Sequence, residues 1–395
     1  MKSRSPLKNS SILLGITGSV AAYKALELSR RLREEGAQVR AVLSSTAHKF
    51  ITPLSIQLAT GQKPLVELFQ EPLAHVSLPE QAQLFIIAPA TANTIAKLAL
   101  GLAEDALSTT FLAFRGPAII APAMNYRMYE NPLFRENLRR LQEAGVQEVP
   151  PEKGPLACGA EAIGRMASLE RILEAARAAL SPQDLKGHHL VITAGPTREP
   201  LDAVRFISNR SSGKMGYALA TVALRRGAQV SLITGPTSLP PPPGAHTVSV
   251  ETTTQMHQAV LQHTRQASAL LMAAAVADFS PYPEEKKIEK TGKLALKLKP
   301  TVDILADISK KRKGIFLVGF AAEAGPMVGR AEEKLRAKGL HMVVFNDVLE
   351  PGAGFDSETN KVVILDRWGG KVELPLLSKE EVAYEVLDRY KALKT

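Results

Sequence analysis

The sequence has 395 residues, of which 45% are hydrophobic, and it carries a single cysteine, eight histidines and a formal charge of +10. That length holds material for two domain cores, one cysteine excludes a disulfide framework within the chain, and the histidines show no metal-ligand spacing. No apolar stretch approaches the ~18 residues of a membrane span and no signal-peptide core follows Met1-Lys2-Ser3-Arg4, so the expectation is a soluble cytoplasmic protein. The basic residues are spread along the chain and aromatic residues are few, which favours small anionic ligands over nucleic acid or a membrane.

The apolar run Ile12-Leu13-Leu14 ends in Gly15-Ile16-Thr17-Gly18-Ser19-Val20 and leads into a helix predicted over residues 21–34. A buried strand, a glycine turn and a helix N-terminus together aim backbone N–H groups at a phosphate. Ala21, Ala25, Leu28 and Leu32 share one helix face, which packs on a sheet. Further strands are predicted over 38–43, 84–88 and 118–121, with a helix over 91–99. The second strand ends in Leu43-Ser44-Ser45-Thr46, with no acid to hold an adenosine ribose, and these hydroxyls favour a mononucleotide such as FMN over NAD. The segments Pro89-Ala90-Thr91-Ala92-Asn93 and Pro122-Ala123-Met124-Asn125 follow strand ends, where open α/β sheets bind ligands. Lys153-Gly154-Pro155 and Gly159 bracket Cys158 in a glycine-punctuated loop, an unusual place for a cysteine that only packs.

Residues 182–186 read as a polar linker with a helix-stopping proline, between domains at 1–181 and 187–395. The pattern then starts again. Leu190-Val191-Ile192-Thr193 ends in Ala194-Gly195-Pro196-Thr197, and the helix that follows runs through Arg225-Arg226 into Gly227-Ala228-Gln229-Val230, as the first runs through Arg30-Arg31 to Gly36-Ala37-Gln38-Val39. Strands are predicted over 230–234, 270–274, 316–320 and 342–345. Between the first strand and its helix lies a long loop over 195–212, carrying Arg198, Glu199, Asp202, Arg205, Asn209 and Arg210, and loops of that length are uncommon without a function. Ser211-Ser212-Gly213-Lys214 fails the phosphate-loop pattern, because Met215 follows the lysine and Ser208 stands where a glycine is required. Nucleotide contacts are expected instead from Ala273-Ala274-Ala275-Val276-Ala277-Asp278, from the lysine-rich run at Lys286 and Lys287, and from Lys334 and Lys338, four apart on a helix predicted over 329–337. The fold class is α/β, with two tandem doubly wound Rossmann-like domains.

The first half resembles the flavin-containing cysteine decarboxylases, and the whole chain resembles the bifunctional phosphopantothenoylcysteine decarboxylase/phosphopantothenate-cysteine ligase family of coenzyme A synthesis. The resemblance rests on Gly18-Ser19-Val20-Ala21-Ala22-Tyr23-Lys24, His75 in Ala74-His75-Val76-Ser77-Leu78, Pro89 to Asn93, Pro122 to Asn125, and Ala157-Cys158-Gly159 followed by Gly164-Arg165-Met166. In the second half it rests on Ala194 to Thr197, Arg205-Phe206-Ile207-Ser208-Asn209, Ser211 to Gly216, Ala274 to Asp278, Val318 to Glu323 and Asn346-Asp347.

The resemblance implies an amino-terminal flavoprotein domain of cysteine decarboxylase type and a carboxyl-terminal ligase domain. FMN would lie against Gly18, Ser19, Val20, Ser44, Pro89, Ala90, Thr91, Asn93 and Ser108. An unactivated carboxylate loses carbon dioxide only if its electrons have an acceptor, which oxidation of the cysteine thiol to a thioaldehyde provides. The resemblance gives His75 a part in that step, Asn125 the substrate carboxylate, and Cys158 the protonation of the ene-thiol. In the ligase half the 4'-phosphopantothenate carboxylate attacks the α-phosphate of CTP, forming an acyl-cytidylate that cysteine opens. Lys287, with Mg2+, would stabilise the departing pyrophosphate, and Asn209 would hold the acyl-cytidylate. Ala273, Ala274, Ala275, Asp278, Thr301, Val302, Asp303, Ile304, Phe320, Lys334 and Lys338 would shape the CTP site, with Asp278 the candidate carboxylate toward the metal. The family pattern further implies a homo-oligomer, a dodecamer.

Two departures touch the ligase half. The family's Lys-x-Lys-Lys reads Lys287-Ile288-Glu289-Lys290, and its Asn-Pro-Asp-Ile reads Thr301-Val302-Asp303-Ile304. Two other readings compete with the resemblance. A tandem NAD(P)-dependent dehydrogenase needs an acid after the second strand of each half, where Ser44 and Thr234-Gly235 stand instead. A non-catalytic flavin or nucleotide binder leaves Cys158 and Lys287 incidental.

Overall fold

A computed structural model describes residues 5–155, 159, 161–289, 294–323, 328–347, 350, 352, 354 and 356–394. The chain divides into two compact units, Met1–Ser181 and Pro182–Thr395.

In the amino unit the elements run β1 (Ser11–Ile16), α1 (Lys24–Glu34), β2 (Gln38–Leu43), α2 (Pro53–Thr60), α3 (Ala74–Gln81), β3 (Leu84–Ala90), α4 (Ala92–Leu100), α5 (Ala106–Ala113), β4 (Ala118–Pro122), α6 (Tyr126–Tyr129), α7 (Pro132–Glu143), β5 (Gln147–Glu148), β6 (Glu152–Pro155), β7 (Glu161–Arg165) and α8 (Leu169–Leu180). Five parallel strands form one sheet in the order β2-β1-β3-β4-β5. Strand periodicity of two divides its apolar residues between two cores. Ile12, Leu14 and Ile16 meet Leu28 and Leu32 of α1 and Ile172 of α8 on one face. Leu13, Phe85 and Ile87 meet Ile95, Leu107 and Leu138 on the other. Each fully buried leucine or isoleucine contributes about 1.5–3 kcal/mol. The helix expected to open at residue 21 begins instead as a 3-10 turn over Val20–Tyr23, and its α-helical part starts at Lys24.

The carboxyl unit continues with β8 (His189–Ala194), β9 (Arg198–Pro200), β10 (Phe206–Ser208), α9 (Lys214–Arg225), β11 (Gln229–Thr234), β12 (His246–Ser249), α10 (Thr253–His263), β13 (Ala269–Met272), β14 (Phe279–Pro281), β15 (Leu298–Pro300), α11 (Ile304–Lys311), β16 (Phe316–Glu323), α12 (Val328–Ala337), β17 (Met342–Asp347), β18 (Thr359–Asn360), β19 (Val362–Asp366), β20 (Lys371–Glu373), β21 (Leu377–Ser378) and α13 (Lys379–Lys394). Its main sheet runs β12-β11-β8-β13-β16-β17-β19-β20. It is parallel as far as β17, and β19 and β20 add an antiparallel edge. Leu190 and Ile192 pack with Leu219, Val222 and Leu387, while Val191 and Leu270 pack with Val260, Ile308 and Leu335.

Two expectations change here. The loop over 195–212 contains an antiparallel hairpin, β9 with β10, in which Ile207 faces Glu199. The buried Asp202 carboxylate shapes its turn by accepting from the Val204 and Arg205 N–H groups at 2.8 and 2.7 Å. Strand β13 ends at Met272 rather than 274, because the chain turns there to bond the β8 exit.

Candidate active sites

In both sheets the chain enters at an interior strand, moves to one side, and returns on the other side of its starting strand. The reversal falls between β1 and β3 in the amino unit and between β8 and β13 in the carboxyl unit. At such a switch point the loops leaving the strand ends diverge and open a crevice for a ligand. The segments singled out in the sequence leave those strands.

At the amino switch point, Gly18 and Ser19 follow β1, and the Ser19 side chain accepts from Ala21 N–H at 3.3 Å to cap the 3-10 turn. Val20 and Tyr23 are exposed. A Cβ on Gly18 would collide with the Thr46 side chain, so the turn and the loop after β2 pack together only because residue 18 is glycine. Ser44 is buried in that loop, its Oγ 3.4 Å from Thr46 Oγ1. Pro89 and Ala90 are buried and can offer only backbone, Thr91 caps α4 through Thr94 N–H at 3.4 Å, and Asn93 is exposed. Ala123 N–H donates to Ala90 O at 3.1 Å, bringing the β4 exit alongside. Asn125 is half-buried at the start of α6, its Oδ1 accepting from Arg127 N–H at 2.9 Å.

Next to Asn125 lies the root of a hairpin: Met124 N–H donates to Gly164 O of β7 at 3.1 Å. Cys158 belongs to the connection between β6 and β7 and lies outside the described residues. Burial pushes the Lys24 ammonium below its ordinary value, and Arg165 of β7 adds like-charge repulsion that Glu152 of β6 opposes. His75 lies on α3, its Nδ1 buried and without a hydrogen-bond partner among the described residues. Ser108 is buried and engaged in the capping box of α5, donating to Asp105 Oδ1 at 2.9 Å and accepting from the Glu104 and Asp105 N–H groups at 3.1 Å each. Its position is thus explained by helix capping.

The carboxyl switch point is built in the same way. Exposed Asn209, just after β10, donates through Nδ2 to Ala275 O at 3.2 Å and Val276 O at 2.9 Å, joining two segments far apart in sequence. Thr301 donates through Oγ1 to Ala277 O at 2.6 Å and through N–H to Asp278 O at 2.9 Å, while the Asp278 side chain is exposed. Asp303 caps α11 through Ala306 N–H at 3.1 Å and pairs with Lys338 at 2.9 Å. Residues 301–304 and Lys338 therefore meet. Lys338 stands one residue beyond α12, which ends at Ala337 as expected, and its N–H on Lys334 O at 3.1 Å carries the helical spacing on to it. Ile304 points into the core, Val302 is 47% exposed, and Phe320 of β16 is half-buried. Lys287 is exposed, and the neighbouring Ile288 N–H donates to buried Asp202 Oδ2 at 3.1 Å, while Arg205 bonds Ile288 O. Lys290 lies outside the described residues.

Sequence reasoning missed the fully buried threonines that hold these loops, Thr17, Thr193 and Thr197. It marked Glu199 and Asp202 as loop residues but not their partners: Glu199 accepts from Thr253 N–H at 2.8 Å and from its hydroxyl at 2.7 Å, and Asp202 anchors Ile288. A signal was present, since a threonine stands at the exit of the first strand of each half, within two residues of the turn glycine.

The family described as "Flavoprotein" matches residues 1–181, and the one described as "DNA/pantothenate metabolism flavoprotein C-terminal domain" matches 185–393. The chain is 42% identical to the coenzyme A biosynthesis bifunctional protein CoaBC of Bacillus subtilis (strain 168), over 98% of each chain. It is also 42% identical to the CoaBC protein of Escherichia coli (strain K12), over 97% of each. A solved structure of the C-terminal domain of a CoaBC protein is 41% identical and covers 53% of this chain and 97% of its own, with a TM-score of 0.47. Two family matches that together span nearly all of the chain, and relatives aligned from end to end, answer to the two sheets and their two crevices: the chain belongs to the family of coenzyme A biosynthesis bifunctional proteins, which join a decarboxylase and a ligase of that pathway in one polypeptide.

Proposed function

We propose that the carboxyl unit condenses 4'-phosphopantothenate with cysteine through an acyl-cytidylate made from CTP, and that the amino unit, with FMN, decarboxylates the resulting phosphopantothenoylcysteine to 4'-phosphopantetheine. The observation that supports this reading is the double switch point: in each unit the strand order reverses, and segments expected to touch a ligand leave the strands that flank the reversal.

The amino crevice fits a flavin mononucleotide in that the strand exits offer backbone groups and the hydroxyls of Ser19, Ser44 and Thr91. FMN supplies the two-electron oxidation of the substrate thiol and the return of those electrons. Gly18, Ser19, Val20, Ser44 and the Pro89–Asn93 segment hold it. Asn125 binds the substrate carboxylate, the buried Nδ1 of His75 is available for a hydrogen bond or a proton, and Cys158 delivers a proton to product. In the carboxyl crevice the Lys287 ammonium neutralises charge on departing pyrophosphate, and Asn209, held by Ala275 and Val276, keeps the acyl-cytidylate in place for the cysteine amine. The described residues contain no group of three or more His, Cys, Asp or Glu able to hold a metal. Mg2+ enters with the CTP phosphates, with Asp278 the carboxylate toward it, as a hard cation that keeps waters and phosphate oxygens does. The working form is a homo-oligomer, and the setting is the cytoplasm; no helix of the described residues is long and apolar enough to cross a membrane.

Purified protein given 4'-phosphopantothenate, cysteine, Mg2+ and CTP should yield both the cysteine adduct and 4'-phosphopantetheine by mass. The adduct alone would refute the assignment of the amino unit, and neither product would return the protein to the non-catalytic binders. Lys287→Gln should abolish acyl-cytidylate formation while sparing decarboxylation of added phosphopantothenoylcysteine. Cys158→Ala should keep the yellow flavin yet stop at an oxidised intermediate.

A further inference from the structure

Two buried hydroxyls occupy equivalent places in the two units. Thr17 follows β1 and Thr193 lies near the end of β8, and both are fully buried. Thr17 Oγ1 donates to Pro89 O at 2.8 Å and accepts from Thr91 N–H at 3.1 Å. Thr193 Oγ1 donates to Met272 Sδ at 3.3 Å and accepts from Ala274 N–H at 3.1 Å. In each case the hydroxyl reaches across the switch point from the first strand to the next strand beyond it. In each case it bonds two residues that flank one alanine, Ala90 or Ala273. One atom thus fixes both ends of a short segment against sliding along its neighbour.

We infer that Thr17 and Thr193 are positioning residues, one in each unit, that set the crevice by holding the segments 89–91 and 272–274 at a fixed offset from the turn glycines. The inference rests on the reading that these segments contact FMN and CTP. A hydroxyl is required because the site needs a donor and an acceptor on one atom. Valine has the same shape but leaves the half-buried Thr91 or Ala274 N–H without its partner, a cost that the loop relieves by moving. Threonine suits the place better than serine because its branched side chain is restricted in χ1 at a strand end. The hold is tighter in the amino unit, where a carbonyl accepts, than in the carboxyl unit, where sulfur is a weak acceptor. There Thr197 adds a second clasp, accepting from Ala277 N–H at 3.0 Å.

The test uses the full chain, deflavinated and titrated with FMN by fluorescence quenching, and titrated with CTP and Mg2+ by calorimetry. Thr17→Val should weaken FMN by about ten-fold or more and leave CTP unchanged, and Thr193→Val should do the reverse. Thr17→Ser and Thr193→Ser should return affinity to within about three-fold of the parent. Valine variants that bind as the parent does would overturn the inference, as would valine variants that weaken both ligands alike or serine variants that do not rescue. Should a valine variant fail to fold, the alanine and serine pair at that position makes the same comparison. A parent protein that binds no CTP refutes the nucleotide reading and the Thr193 arm with it, and the Thr17 arm is still decided by FMN.

Discussion

Gly216 lies in the first turn of α9, where the helix crosses β8 so closely that a Cβ would fall 2.6 Å from Ala194 Cβ and 2.7 Å from Thr193 O. Neither neighbour is the flexible end of a long side chain, so relief requires the helix to lift from the strand. Gly216→Ala should therefore destabilise the carboxyl unit by about 1–3 kcal/mol despite alanine's better helix propensity, as read by chemical denaturation, and should weaken nucleotide binding because Thr193 sits at the same contact. Asp202 makes a different kind of contribution. Its buried carboxylate collects three backbone N–H groups, those of Val204, Arg205 and Ile288, together with the Arg205 guanidinium at 3.0 Å, and these bonds hold its pKa below the ordinary carboxylate value against the opposing effect of burial. Asp202→Ala releases Ile288 and with it the backbone that carries Lys287. The expected outcome is a large loss of ligation with decarboxylation retained, measured on the two half-reactions separately. The sequence marked Asp202 as one polar residue of a long loop, and gave no sign that its partner stands more than eighty residues away.

At the scale of elements, the strands that cross each sheet were legible because unbroken apolar runs bounded by glycine turns have few other readings. The hairpin of β9 and β10 was not, because Arg198-Glu199-Pro200 is short, polar and not periodic. It is held from outside: Arg198 N–H donates to Glu251 O at 2.7 Å, and Glu284 N–H donates to Leu201 O at 3.0 Å. The end of β13 was misplaced for a related reason. Ala273 and Ala274 look like strand, but the Thr193 hydroxyl claims the Ala274 N–H and turns the chain away. The carboxyl unit also carries a pH dependence that no sequence pattern reveals. Burial, chiefly, pushes the imidazoles of His188, His189, His263 and His341 below their ordinary values. His341 shows why, since its Nδ1 accepts from Leu317 N–H at 3.1 Å while its ring stacks on Phe316 at 4.8 Å. The unfolded chain takes up protons that these rings refuse in the fold. Stability is therefore full above about pH 6.5 and falls as the pH drops from there toward the lowered folded values. Denaturation of the carboxyl unit between about pH 8 and 5 should show that slope. His341→Asn, which keeps an acceptor for Leu317 but cannot titrate, should make it shallower, and an unchanged slope would remove His341 from the account.

Across the whole molecule the same plan occurs twice, and this repetition was the most legible feature of the sequence: apolar strand, turn glycine, helix with paired arginines in its later part, then Gly-Ala-Gln-Val. The closing atoms of each crevice were less legible, because a threonine in a turn reads the same whether its hydroxyl meets water or bridges two strands. Each unit has its own sheet with a core on each face and its own switch point, so each has the parts of an independently folding body. The chemistry divides along the same line, since the proposed ligase residues all lie beyond residue 186 and the proposed decarboxylase residues all lie before 182. If catalysis in one unit needs nothing from the other on the same chain, two variants each lacking one activity should complement each other. Lys287→Gln and Cys158→Ala proteins, prepared separately and mixed in equal amounts with 4'-phosphopantothenate, cysteine, Mg2+ and CTP, should make 4'-phosphopantetheine after a lag in which free phosphopantothenoylcysteine accumulates. Neither variant alone should do so. A mixture that makes the cysteine adduct but no decarboxylated product, while the Lys287→Gln protein still decarboxylates added adduct, would mean that the adduct passes between units without release, and the two bodies would then have to be treated as one catalytic path.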